Sequence, residues 1–186
     1  MITELDKKTA LVLIDLQNGI VQLPVVHPVE TVLRNAAKLV TAFRAAKLPI
    51  VVVNANPANN TLRKDAKTGS FEASADWLKI VPEIETQSDD VLITKTTWNA
   101  FTNPELVKAL RDRNITGIVL AGISTSIGVE GTARSANELG YNIAFAADAM
   151  SDLFVDAHEH SLKRIFPRIG EIGTTDEIIE KLAAIG

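Results

Sequence analysis

The chain contains no cysteine. That absence removes disulfides, thiol nucleophiles and zinc–thiolate sites, and it leaves redox chemistry silent about cellular compartment. Basic runs are missing as well: 19 Lys and Arg stand against 23 Asp and Glu, for a net charge of −4 with no like-charged tail. Neither nucleic acid nor an anionic membrane surface is expected as a partner. No stretch approaches the roughly 18 apolar residues of a membrane span. Met1 to Lys8 lacks an apolar segment behind a positive start, so no secretory signal is read there and a cytoplasmic location is the default expectation. The turn LQNGIVQLP lacks the spaced glycines of a dinucleotide site, and GISTSIG does not match the phosphate-loop pattern. No nucleotide cofactor is expected. Internal repeats are absent.

What is present describes a globular chain. The 186 residues suit one domain, 1–186, and 46% apolar with 23% charged residues suffice for a buried core. Thr9 to Asp15 (TALVLID), Pro49 to Asn54 (PIVVVN), Val91 to Thr94 (VLIT), Thr116 to Gly122 (TGIVLAG) and Tyr141 to Ala147 (YNIAFAA) are short apolar runs of the kind that strands buried on both faces show. Between them lie helical patterns. One follows Pro28, with Val29, Val32, Leu33, Ala36, Val40 and Phe43 at helical spacing. A second opens at Asn103-Pro104-Glu105, a third spans about Ser126 to Gly140, and a fourth runs from Asp156 to Phe166. Thr174 and Glu177 have capping-box spacing and open a last one. Alternation of this kind requires crossovers and predicts an α/β fold: a Rossmann-like three-layer sandwich with a mainly parallel sheet of roughly six strands. Residues 55–90, rich in Asn and charge, break the rhythm and read as an excursion that covers something.

In such a sheet ligands bind beyond the carboxyl ends of the strands, where loops and helix amino termini converge. Asp15 stands at the end of the first strand and Lys95 at the end of the third, while Gly122 to Gly128 leads from the fourth into a helix. A carboxylate after six mostly apolar residues is partly desolvated, which suits proton transfer. The competing reading is a turn Asp bonded to nearby backbone. For Lys95 it is a solvated charge on a strand end.

DLQN, TKTTWNAF, GISTSIGVEGTAR and GEIGTTDEII, in that order across essentially the whole chain, together resemble the isochorismatase-like hydrolase family. The resemblance implies a site built on an aspartate, a lysine and usually a cysteine in a GxxTxxCVxxTAR turn, which fall here on Asp15, Lys95 and Gly128. With glycine at 128 the thioester route of the family's amidases is closed. The Asp and two His that bind metal in nicotinamidase relatives are missing from NANPANNT, so neither a metal nor a cofactor is expected. True isochorismatases also resemble this chain in carrying glycine there. They cleave a vinyl ether, in which an acid protonates the methylene carbon and water adds to the resulting cation.

By that analogy the substrate is a small molecule, Asp15 is the proton donor and Lys95 orients it and steers an anionic substrate. Burial raises a carboxyl pKa and a nearby cation lowers it. If the cation dominates, Asp15 is instead a base that activates water. The resemblance also implies a non-proline cis peptide at Ile123-Ser124, with backbone N–H groups of residues 124–128 aimed at a substrate oxygen. Ile123, Ser124, Thr125 and Ile127 are therefore candidate substrate-binding residues. Gly128 would leave room for a bulkier ligand, or simply pack a helix turn on the sheet. Trp98 and Phe101 are candidates to wall a planar substrate, with core packing as the alternative. Arg63 and Lys64 are the candidates to grip carboxylates, with an exposed charge pair as the alternative. Family likeness further implies a homo-oligomer.

Other constellations point elsewhere. Ser124 or Ser126, Asp148 or Asp152, and His158 or His160 occur in the chain order of some serine hydrolases, without the flanking glycines of a nucleophile elbow. His158 and His160, two apart on a helix, face different sides and make a poor metal pair. His27, beside Pro28, reads as a surface residue, and Arg134 as a structural contact of its helix, with a substrate role as the alternative. The rival functional class is a catalytically silent relative that binds a small ligand or serves as an assembly subunit.

Overall fold

The structure is a computed structural model that describes residues 1–57 and 72–185. Six strands, all parallel to their neighbours, form one sheet: β1 (Thr9–Ile14), β2 (Ile50–Ala55), β3 (Val91–Lys95), β4 (Gly117–Ile123), β5 (Asn142–Ser151) and β6 (Glu171–Gly173). Their order is β3-β2-β1-β4-β5-β6. Helices α1 (Asn18–Val21), α2 (Val29–Ala45), α3 (Pro104–Asp112), α4 (Glu130–Glu138), α5 (Val155–His160) and α6 (Thr175–Ala183) connect or follow them. No helix among the described residues is long and apolar enough to cross a membrane.

The two central strands show why the sheet is covered on both faces. All six residues of β1 and all seven of β4 are buried. Leu11, Leu13, Val52, Val119 and Ala121 point into one core with Val32, Ala36, Leu39 and Phe43 of α2 and Ile178 and Leu182 of α6. Their alternates Ala10, Val12, Ile14, Val51, Val53 and Leu120 enter a second core with Leu106 and Leu110 of α3 and Ala133 and Ala136 of α4. This strict alternation is the period-two consequence of strand geometry. The edge strand β3 buries only Ile93 and Lys95 fully, and Leu92 is 60% exposed.

The apolar runs located β1 to β5, and α6 opens with the expected capping box of Thr174 and Glu177. Strand β5 continues to Ser151, beyond the run that marks it. Strand β6 has three residues and no apolar run, so periodicity could not show it; it forms because Phe145 and Ala146 offer it a ladder. Helix α1 is too short to have a readable period. Helices α4 and α5 are shorter than the helical patterns, because Thr125–Val129 and Ser161–Ile165 are wider, π-helical turns.

Of the excursion, the described part is tied to the β1 and β2 ends. Asn18 and Gly19 donate backbone N–H groups to Lys79 O and Trp77 O, and Asn54 Nδ2 donates to Leu78 O. Gln17, fully buried, clamps it further: Nε2 donates to Ala55 O and Trp77 O, and Oε1 accepts from Ala55 N. Arg63 and Lys64 lie outside the described residues.

Candidate active site

The strand order reverses direction between β1 and β4, the chain having built outward first to β3 and then to β6. At such a switch point the loops leaving the two central strands diverge and open a crevice at their carboxyl ends. Asp15 leaves β1 there, and the Ser124–Gly128 turn leaves β4. Lys95, the last residue of β3, is paired with Ala55 at the end of β2, two strands away from β1. Only a long side chain reaches across that distance.

It does reach. Lys95 Nζ donates to Asp15 Oδ2 at 2.7 Å and to Thr97 O at 3.2 Å, with side chains 3% and 8% exposed. Asp15 adopts a left-handed backbone, φ 55°, which Asp tolerates better than most residues. Its N–H continues the ladder to Val53 O, while its carbonyl accepts from Gln17 N. The side chain is thereby thrown off the strand direction toward the turn. Oδ1 is buried and has no hydrogen-bond partner among the described residues. Burial pushes the Asp15 pKa up to about 6 against the opposing pull of the Lys95 charge and hydrogen bond. Desolvation therefore wins the contest that spacing left open.

Gly128 completes the triangle. A Cβ built on it would lie 3.0 Å from Asp15 Oδ2, 3.5 Å from Lys95 Nζ and 2.8 Å from Ile14 Cγ2. The turn thus packs directly on the ion pair, and the missing side chain admits Asp15 and Lys95 themselves. This corrects the expectation that Gly128 leaves room for a bulkier ligand. Gly122 sets the approach: at φ 129° its absent Cβ would stand 2.1 Å from Ile14 O. Only glycine lets β4 pass β1 so closely and bend into the turn.

The Ile123–Ser124 peptide is cis. Of the turn's N–H groups, Ser126 N donates to Asp152 Oδ2 at 2.7 Å and Ile127 N to Ser124 O, so these two are already engaged internally and do not aim at a substrate. The Ile123 side chain lies in the core on the α2 face, and the Thr125 hydroxyl is bonded behind the turn to Ser151 O and His158 Nδ1. Ser124 and Ile127 stay half-buried. Phe101 is not a site wall: a short turn at Ala100–Thr102 carries it into the second core, 5.6 Å from the Tyr141 ring. Trp98 is 63% exposed, and Gly131 of α4 faces its Cβ.

The serine-hydrolase alternative finds no triad. Asp148 accepts from Thr175 and Asn35, Asp152 from the backbone at 126, 153 and 154, and His158 meets a threonine. Arg134 pairs with Glu130 one turn away. His27 is more than a surface residue: its N–H and Nδ1 both meet Ser151 Oγ at 3.1 Å, and its ring lies 4.6 Å from that of His158. Sequence reasoning missed Asp152 and His158 as supports of the turn. The signal available was their position just past the carboxyl end of β5, the edge that also carries Asp15. Among the described residues no three His, Asp or Glu side chains converge as a metal site.

A family model described as the isochorismatase domain matches residues 9–177, nine-tenths of the chain and every element of the site. The chain belongs to the isochorismatase family. An isochorismatase family protein of Bacillus subtilis is 45% identical over 182 residues, covering 95% of each chain. A solved structure of an isochorismatase family protein from Burkholderia thailandensis has a TM-score of 0.91 at 39% identity, over 97% of this chain and 98% of that one. A ureidoacrylate amidohydrolase of Pseudomonas savastanoi pv. phaseolicola is 27% identical over 209 residues, covering 96% of this chain and 85% of its own. The isochorismatase family is one of hydrolases, and this chain has its fold.

Proposed function

We propose that this isochorismatase-family chain hydrolyses a small molecule by acid–base chemistry at Asp15, without a protein nucleophile. One observation carries the reading: a buried carboxyl held at one oxygen by Lys95, with the other oxygen unpartnered among the described residues and a pKa near 6. Such a group is populated in both protonation states close to neutrality, the condition under which a side chain can give and take a proton. Lys95 fixes the carboxyl plane and stabilises the carboxylate left after the proton departs. With no cysteine in the chain, covalent thioester chemistry is closed to it.

A vinyl (enol) ether fits these means. The proton on Asp15 adds to the methylene carbon, the alkene electron pair forming the new C–H bond and leaving an oxocarbenium ion. Water then adds to that ion and returns a proton to the Asp15 carboxylate. The resulting hemiketal breaks its C–O bond to release a ketone and an alcohol. Ser124 and Ile127, half-buried on the turn, and the exposed indole of Trp98 are the proposed surfaces for a planar substrate.

The test is a turnover panel of isochorismate, other enol ethers, amides and imides, run on the parent protein, Asp15→Ala and Lys95→Ala. The expected result is turnover of an enol ether that falls by about 100-fold or more in Asp15→Ala, the order of a lost general acid. Turnover that both substitutions leave untouched refutes the assigned roles. Turnover of nothing, with a small molecule still bound, would instead establish a silent binding relative.

A further inference from the structure

We infer that His158 is a positioning residue: it grips Thr125 from behind the Ser124–Gly128 turn and thereby keeps Gly128 packed against Asp15 and Lys95. The importance of that packing for chemistry rests on the function proposed above, but the contact itself stands on geometry alone.

The hydrogen-bond directions leave one arrangement. The Thr125 hydroxyl has a single hydrogen and is fully buried. That hydrogen goes to Ser151 O, 3.0 Å away, an acceptor only. Thr125 Oγ1 therefore accepts from His158 Nδ1 at 2.8 Å, and His158 carries its proton on Nδ1. Burial and the neighbouring His27 push the His158 pKa down, against weaker opposite pulls from Asp152 and Glu159, so the neutral Nδ1–H form is the resident one. His27 braces this from the other side through Ser151 Oγ and its ring contact. Asp152 holds the next residue by accepting from Ser126 N.

Two consecutive residues of the turn are thus pinned by side chains that come from the end of β5 and from α5. Within the turn itself, the bonds of Ile127 N and Val129 N to Ser124 O hold its shape but not its place. Its place matters because the turn lies so close that a Cβ on Gly128 would stand 3.0 Å from Asp15 Oδ2, and burial of Asp15 is the main reason the carboxyl is hard to ionise. A turn that drifts would admit water to Asp15.

That consequence is measurable without any substrate. In His158→Leu, which keeps bulk and loses the donor, the Asp15 carboxyl pKa read by carbon NMR should fall by about one unit toward the ordinary value. His158→Asn, whose amide nitrogen lies where Nδ1 lay, should keep the parent titration. Thr125→Val should reproduce the shift of His158→Leu, and serves where the leucine variant does not fold. Nitrogen NMR of the parent should find His158 protonated on Nδ1. An Nε2–H tautomer, or an Asp15 titration unmoved in a folded His158→Leu and Thr125→Val, overturns the inference. With a substrate from the panel, kcat should drop by up to about 100-fold in His158→Leu with KM nearly unchanged, and recover in His158→Asn. Absence of any turnover would fail the proposed function alone, since the Asp15 titration would still decide the role of His158.

Discussion

Removing the buried pair as a unit, with Asp15→Asn and Lys95→Met in one chain, should change how stability depends on pH. Asp15 binds its proton more tightly folded, with a pKa of about 6, than unfolded, at 3.8. A raised folded-state pKa favours the native state most below 3.8, and the advantage is lost as pH climbs through 6. The full span, 6 − 3.8 = 2.2 units at about 1.36 kcal/mol each, is on the order of 3 kcal/mol. Between about pH 4.5 and pH 7 roughly 2 kcal/mol of it should be lost by the parent and not by the variant. The side chain is 8% exposed, so solvent screening does not reduce the figure greatly.

Urea unfolding of both proteins across that range, followed by circular dichroism, isolates the effect, because all other titrations are common to the two and cancel in the difference. Lost packing and lost bonds to Lys95 add an offset that does not vary with pH. The expected result is a stability difference that moves by about 2 kcal/mol in the variant's favour on going to neutral pH. A difference flat to within about 0.5 kcal/mol would refute the claim that burial outweighs Lys95 at Asp15. Lys95→Met alone sharpens the sign. Both influences of Lys95 lower the Asp15 pKa, so its loss should move that titration above 6.

Two substitutions test the close approaches that build the site. Gly128→Ala sets a methyl 2.8 Å from Ile14 Cγ2 and 3.0 Å from Asp15 Oδ2, and should cost about 1 to 3 kcal/mol in thermal or urea unfolding; a neutral result would mean that the turn does not rest on the pair. Gly122→Ala combines φ 129° with a 2.1 Å clash on Ile14 O, and should cost at least about 3 kcal/mol or abolish folding. A stable Gly122→Ala protein would disprove the tight passage of β4 over β1.

The apolar runs of TALVLI and GIVLAGI revealed central strands because a strand buried on both faces has no polar alternate to interrupt it. The edge strand β3 was still legible from VLIT, although only Ile93 and Lys95 of it are fully buried. β6 was not: it is three residues long, so neither its hydropathy nor its length distinguishes it from a loop. Phe101 and Trp98 show the same limit among side chains. Both follow Lys95 closely, yet a short helical turn sends the first into the core and leaves the second in solvent.

Legible in the amino-acid order were five of the six strands, the covering of the sheet on both faces and the edge at which Asp15, Lys95 and residues 122–128 gather. Hydrophobic periodicity and strand-end position are local properties, and a parallel crossover topology converts them into a shared rim. Tertiary structure alone decided the rest: the winner between burial and charge at Asp15, and the occupant of the space beside Gly128. It also decided that Thr125 is held by a histidine 33 residues further along the chain. Those outcomes depend on distances of a few ångströms between segments far apart in the chain. Coulomb attraction, desolvation and steric contact all change steeply over such distances.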